Sequence, residues 1–325
     1  MRRMLSRLAM VVLLGAGVVG VASPASADAT TTRLGPAASS AGNRTFEAIT
    51  IRVGLVAYQW WDGGDPNAFS HIGIADGPAA PNAMLTDASP AVSLVGNGSY
   101  VFLLAKRTDG LLMINQGGLN SAPNSPGASL VGWQSMGITT SAAPAAAAAG
   151  NRTAAVITEP DGRILYDWWD LGGGGHGFRE VPGGGRTNAA PAVTLVANGT
   201  YMFVVVKGLD NQLWLNQGTP GGAFVGWQPM GIATNVAPAA VASGNRSAIV
   251  VTTPAGGIAY DWWDLGGGTH GLLPVPGMSG VTVSPGAGFI ANGTKLLALA
   301  TGPDLYVYQS QVEPGGATQP WTFNL

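Results

Sequence analysis

Three stretches of this 325-residue chain set large aromatic rings beside a carboxylate: "YQWWDGG" from Tyr58, and "YDWWDLGGG" from Tyr166 and again from Tyr260. The combination suits a sugar. Aromatic faces cover the apolar C–H faces of a pyranose. A carboxylate accepts strong hydrogen bonds from paired hydroxyls, and a glycine run lets backbone amides come close to a ligand. The candidate ligand-binding residues are Trp60, Trp61 and Asp62, then Trp168, Trp169 and Asp170, then Trp262, Trp263 and Asp264. His176 and His270, each ten residues beyond its tyrosine in an "HG" pair, add a polar tip. The same residues also read as packing. Strand alternation sends Tyr166, Trp168 and Asp170 to one face and Asp167 and Trp169 to the other, so at least one tryptophan of each pair is expected in a core.

Other chemistries find less support. His71 is out of register with the other two histidines: when Phe69 is aligned with Phe178, His71 falls opposite Glu180. No zinc-type ligand spacing occurs, and the Asp-Gly pairs at Asp109 and Asp161 read as turns rather than calcium loops. No metal or cofactor is expected. Glycoside hydrolysis needs two carboxylates about 5–10 Å apart, whereas Asp62, Asp170 and Asp264 recur one per motif copy, as repeated sites would. Neither a GxSxG nucleophile motif nor a P-loop is present. The reading is binding without catalysis, with a protein-interaction scaffold as the alternative and a glycoside hydrolase behind it.

The elements that must position these residues form a repeat. A proline ahead of a short apolar run recurs at Pro36, Pro90, Pro144, Pro191, Pro238 and Pro285, at intervals of 54, 54, 47, 47 and 47. Each is followed by an asparagine turn, at Asn43, Asn97, Asn151, Asn198, Asn245 and Asn292. The turns also match a glycosylation acceptor, but turn chemistry accounts for them. Unit four shows the anatomy: "AVTLVA", the turn "NGT", then "YMFVVVKG", apolar on both faces and so buried on both, then "QLWLNQG" and "AFVGWQPMG". Four antiparallel strands in about 47 residues is the arithmetic of a propeller blade. Units one, three and five carry Asn-Arg and WWD; units two, four and six carry Asn-Gly and lack WWD. The expected fold is all-β, a six-bladed β-propeller of four-stranded antiparallel blades with pseudo-threefold symmetry and no helix after the N-terminal segment.

That segment, with Arg2, Arg3 and Arg7 before "LAMVVLLGAGVVGVA" and "SPASADA", reads as a secretory signal peptide over residues 1–27. Residues 28–325 then form one propeller domain, secreted to the extracellular space. Removing the signal leaves 12 basic against 17 acidic residues. A charge-poor, weakly acidic surface argues against nucleic acid and anionic membrane as partners, and no later stretch is apolar enough to span a bilayer. With no cysteine, stability must come from the core.

The repeats "SAPAAAAAGNRTAAVITEPDGRILYDWWD" and "WLNQGTPGGAFVGWQPMGI" resemble those of bacterial PLL-like propeller lectins. The six units bring in the six-bladed tectonin-type lectins as well, because the PLL-like family usually has seven. The resemblance implies sugar sites in clefts between neighbouring blades, lined by aromatics, and glycans or glycoconjugates as partners. The chain departs from that pattern in a third strand one residue shorter between Tyr166 and the tryptophan pair, and in even units without WWD. Sites are therefore expected in the odd units, weakest in unit one, where Gln59 replaces the acid and "GGDPNAF" the glycine run.

Overall fold

The computed structural model describes residues 34–41, 44–51, 54–62, 71–75, 84–119 and 128–323. The expected signal peptide, Asn43, the loop after Asp62 and the side chain of His71 lie outside the described residues. What is described is a six-bladed β-propeller. Each blade is a contiguous antiparallel sheet, spanning residues 37–74, 91–139, 145–180, 192–233, 239–275 and 286–323. Among the described residues there is no helix long and apolar enough to cross a membrane.

Inner strands such as Ala145–Ala149 and Ala192–Val196 touch one another in ring order, and Gly286–Ile290 meets Ala37–Ala41 to close the ring. The six prolines that mark the repeats come together around one axial cavity of about 100 Å³. The second strands, such as Tyr201–Lys207, are buried along nearly their whole length, because both faces of each blade meet a neighbour. The ring therefore has two kinds of interface, one where an odd blade meets the following even blade and one where an even blade meets the following odd one.

The asparagine turns come in two lengths. In odd blades the hairpin pairs Ala149 with Arg152, so the two-residue centre is Gly150-Asn151, with Gly150 at φ 61°. In even blades Val196 pairs with Tyr201, leaving a four-residue loop in which Ala197, Asn198 and Gly199 all adopt positive φ. In two of the three odd–even pairs the alternation of Asn-Arg and Asn-Gly follows from contact across blades, and in the third Gly293 lies against Ser243 instead. Arg152 Nη1 donates to the carbonyl of Gly199 in the next blade at 3.2 Å, and Arg44 does the same to Gly98 at 2.9 Å. A Cβ on Gly199 would lie 2.8 Å from Cδ of Arg152, so the arginine strut requires glycine beneath it.

The outer strands of the even blades break where Trp133, Trp227 and Trp321 occur. In blade two the break separates Ala128–Leu130 from Gln134–Thr139. In blade four an isolated bridge at Phe224 precedes Gln228–Ala233. Buried Asn216 holds the break: its Oδ1 accepts from Gly226 N at 3.0 Å, and its Nδ2 donates to Pro182 O of the preceding blade at 2.8 Å. Asn115 does the same with Gly132 and Ala75. Blade six has Pro320 in place of the glycine and Ser310 in place of the asparagine, and Ser310 Oγ donates to Gln319 O at 2.6 Å.

Candidate functional site

Alternation along Ile164–Asp170 separates the two tryptophans of the pair. Tyr166 and Trp168 turn toward blade four, into a cluster with Val193, Leu195 and Val204 and with partly buried Phe224 and Trp227. Trp169 turns toward blade two, where it meets Phe102 edge-on at 5.5 Å among Ala91, Val95 and Leu104. Blade five repeats the division, with Trp263 edge-on to Phe203 at 5.7 Å and Trp262 facing blade six. In blade one Trp61 packs on Ile290, Leu297 and Leu299 of blade six, and Trp60 faces blade two. Trp61, Trp169 and Trp263 are thus sealed into the even-to-odd interfaces, at 0%, 5% and 3% exposure. Trp60, Trp168 and Trp262 lie on the odd-to-even side of their blades; Trp60 and Trp168 are buried as deeply, at 1% and 7% exposure, and only Trp262 is partly exposed.

The glycine-rich loop folds back over this first tryptophan. Buried Asp167 accepts from Trp168 N at 2.7 Å and His176 N at 2.8 Å. His176 Nδ1 contacts the Trp168 carbonyl at 2.7 Å, so this nitrogen must carry the hydrogen. The imidazole lies flat on the indole, with centroids 4.3 Å apart and planes 7° from parallel. Blade five reproduces every part: Asp261 accepts from Trp262 N and His270 N at 2.7 and 3.1 Å, His270 Nδ1 meets Trp262 O at 2.9 Å, and the rings stack at 3.5 Å and 7°. Burial pushes the Asp261 carboxyl above its ordinary value, against the backbone donors that pull it down. In blade one Gln59 takes the aspartate's position and donates to buried Glu47, its cross-strand partner, at 2.7 Å.

The motif's last aspartate is engaged within its own blade. Asp170 accepts a fork from Arg152 at 2.9 and 3.1 Å, Asp264 one from Arg246 at 2.9 and 3.2 Å, and Asp62 one from Arg44 at 2.7 and 2.8 Å. Each arginine sits directly across the strand pair from its aspartate. The hydrogen bond from arginine holds Asp170 and Asp264 below the ordinary carboxylate value. Their outer sides remain exposed, with lone pairs free to accept a further hydroxyl.

A cation covers the first tryptophan in all three clefts. Arg44 lies 4.4 Å over Trp60 and Arg246 4.5 Å over Trp262, whereas over Trp168 it is Arg179, at 4.6 Å. The even blades contribute a tryptophan that the sequence reading assigned only to a strand. Trp227 packs on the blade-three loop, where a Cβ on Gly185 would overlap its ring. Trp321 Nε1 donates to Pro276 O at 2.9 Å, and Trp133 packs on the first–second cluster. The recurring "VGWQ", "VGWQ" and "PWT" of the even units was the available signal. Among the described residues no group of His, Asp or Glu is placed to hold a metal.

In sequence, no family model and no curated protein matches the chain. Solved structures match its fold. AofleA from Arthrobotrys oligospora does so with a TM-score of 0.65 at 12% identity, over 90% of this chain and 86% of that one. BP39L lectin from Burkholderia pseudomallei gives 0.61 at 15%, over 89% and 84%. Aleuria aurantia lectin in complex with α-methyl-L-fucoside gives 0.61 at 11%, over 90% and 93%. The chain shares the six-bladed propeller fold of these proteins, two of which are lectins by name.

Proposed function

We propose that this chain is a secreted, non-catalytic carbohydrate-binding propeller, of the PLL-like or tectonin-type kind its repeats resemble, which takes glycans in its three odd-to-even clefts. One observation carries the reading: each of these interfaces draws one tryptophan from the odd blade and one from the even blade, and in the third–fourth and fifth–sixth an exposed histidine and aspartate lie beside the first, while the second tryptophan of each pair packs among apolar side chains in the other interfaces. In the third–fourth and fifth–sixth clefts the sugar meets the outer face of His176 or His270. With Nδ1–H committed to a carbonyl, Nε2 is the ring nitrogen left to hydrogen-bond a hydroxyl. The exposed edge of Asp170 or Asp264 accepts a second.

Catalysis finds no support in the carboxylates. Asp62, Asp170 and Asp264 are ion-paired, and Asp167 and Asp261 are buried against backbone donors. Lectins of this fold, one of them solved with a fucoside, support a glycan as the class of ligand. Exposed sites of this kind bind at millimolar to micromolar strength, about −4 to −8 kcal/mol. A glycan array followed by NMR titration of the tryptophan indole signals tests the reading. Binding should move Trp168 and Trp262 and leave Trp169 and Trp263 in place. If no glycan moves the first pair, the reading falls and the protein-interaction scaffold replaces it.

A further inference from the structure

The three odd-to-even clefts differ in charge, and the difference lies at one strand position. Tyr58, Tyr166 and Tyr260 are paired across the sheet with Gly73, Arg179 and Leu273 respectively. In the first–second and fifth–sixth clefts the guanidinium over the tryptophan belongs to Arg44 or Arg246, and each is neutralised by a forked carboxylate. In the third–fourth cleft it belongs to Arg179, which donates Nη2 to the carbonyl of His176 at 3.2 Å and has no carboxylate partner among the described residues. The charged groups nearby are already matched: Arg152 with Asp170, and Arg186 with Glu180 at 3.2 Å. Arg179 therefore gives this cleft one guanidinium more than the other two, beside the exposed imidazole of His176, whose loop closes over the buried Asp167 carboxylate.

We propose that the third–fourth cleft selects an anionic saccharide, a sugar ring bearing a carboxylate or sulfate, while the other two clefts take neutral sugars. This rests on the glycan-binding reading above and refines it. The ring would lie against His176, and the anionic substituent would reach the free N–H donors of Arg179. A guanidinium stacked on an aromatic face is already oriented, so little is lost in fixing it, and its planar fork matches both carboxylate and sulfate.

The test is an array of saccharides in matched neutral, uronic or sialic, and sulfated forms, followed by titration of each hit with the indole signals of Trp168 and Trp262 as site reporters. The anionic member of a pair should bind about tenfold more tightly than the neutral one at the Trp168 site. It should show no preference at the Trp262 site, and the preference should shrink as salt is raised. Arg179→Leu, which imports the residue of blade five, should abolish the preference while neutral binding persists. Leu273→Arg should create it at Trp262. Separate uronic and sulfated arms show which anion is preferred. Neutral sugars binding with no anionic preference at Trp168, or a preference unchanged in Arg179→Leu, would overturn the proposal and leave the glycan reading standing. If no saccharide of either charge moves either indole, both fall.

Discussion

Trp168 and Trp169 are adjacent in the chain and end in opposite surroundings. Trp169 meets a phenylalanine edge and aliphatic side chains, with the Ser93–Thr153 hydroxyl pair at 3.0 Å and a turn-to-turn hydrogen bond elsewhere in the same interface. Trp168 meets Tyr166, His176, Arg179 and the loop of the next blade. The period of a β-strand sends neighbouring residues to opposite faces, and in a ring of alternating blades those faces belong to different kinds of interface. One tryptophan pair therefore does two jobs. The second residue packs into the even-to-odd interface, and the first packs beneath an imidazole and a guanidinium.

Truncating each tryptophan of blade five tests this division most severely. Trp263→Ala should cost about 3–5 kcal/mol in chemical denaturation, the range for a large aromatic removed from a packed core. It should leave ligand response at Trp262 intact in the protein that remains folded. Trp262→Ala, at a partly exposed position, should cost roughly half as much, about 2 kcal/mol, and remove the fifth–sixth site. Equal losses of stability, or binding that survives Trp262→Ala and disappears with Trp263→Ala, would erase the distinction between the two interfaces.

The outer-strand break that delivers Trp227 depends on Asn216. Asn216→Ala leaves Pro182 O and Gly226 N without their partner and should cost about 1–3 kcal/mol. Asn216→Ser combined with Gly226→Pro copies the side chains of blade six, but Gly226 sits at φ 97°, which proline cannot adopt, so a double-mutant cycle should show no recovery of that loss. Recovery would mean the two solutions are interchangeable. The arginine strut carries a slightly smaller effect. Gly199→Val combines positive φ with a clash against Arg152 and should cost about 1–2 kcal/mol, part of it regained with Arg152→Ala. An unchanged denaturation midpoint would remove the strut's explanation of the Asn-Arg and Asn-Gly alternation.

The repeat made the propeller legible before any coordinates. Proline spacing set the blade count, and the doubly apolar second strands announced burial on both faces. Alternation along "YDWWD" put Trp168 and Trp169 on opposite faces, but nothing local said which face would meet the closed interface. The two hairpin lengths were not legible, because Asn-Gly is a strong two-residue turn signal while loop length is fixed by which residues pair on either side. The even-blade tryptophans were missed for a tertiary reason: their strand breaks where a polar side chain of the neighbouring strand, Asn115, Asn216 or Ser310, binds its backbone. The ion pair of Asp170 with Arg152, eighteen residues earlier, was not legible, because it needs a cross-strand register that the turn had to supply.

The smallest expected effect is electrostatic. Asp261 and Asp264 lie three residues apart on one strand, one buried under the loop that carries His270 and one at the exposed strand end. Burial raises the first, and the hydrogen bond from Arg246 lowers the second. The signs of their links to stability are therefore opposite. The raised Asp261 contributes stability that is fully present below the ordinary carboxylate value and is lost as pH rises through its own higher one. The lowered Asp264 contributes stability present above the ordinary value and lost as pH falls through its own lower one, an effect that solvent screening keeps small. Carboxyl-carbon NMR titration should place Asp261 above and Asp264 below an unstructured aspartate. Arg246→Ala should return Asp264 toward the ordinary value and leave Asp261 raised. If both titrate on the same side, the fold-back loop is not closed over Asp261 in solution, and Trp262 presents its bare face rather than the imidazole of His270.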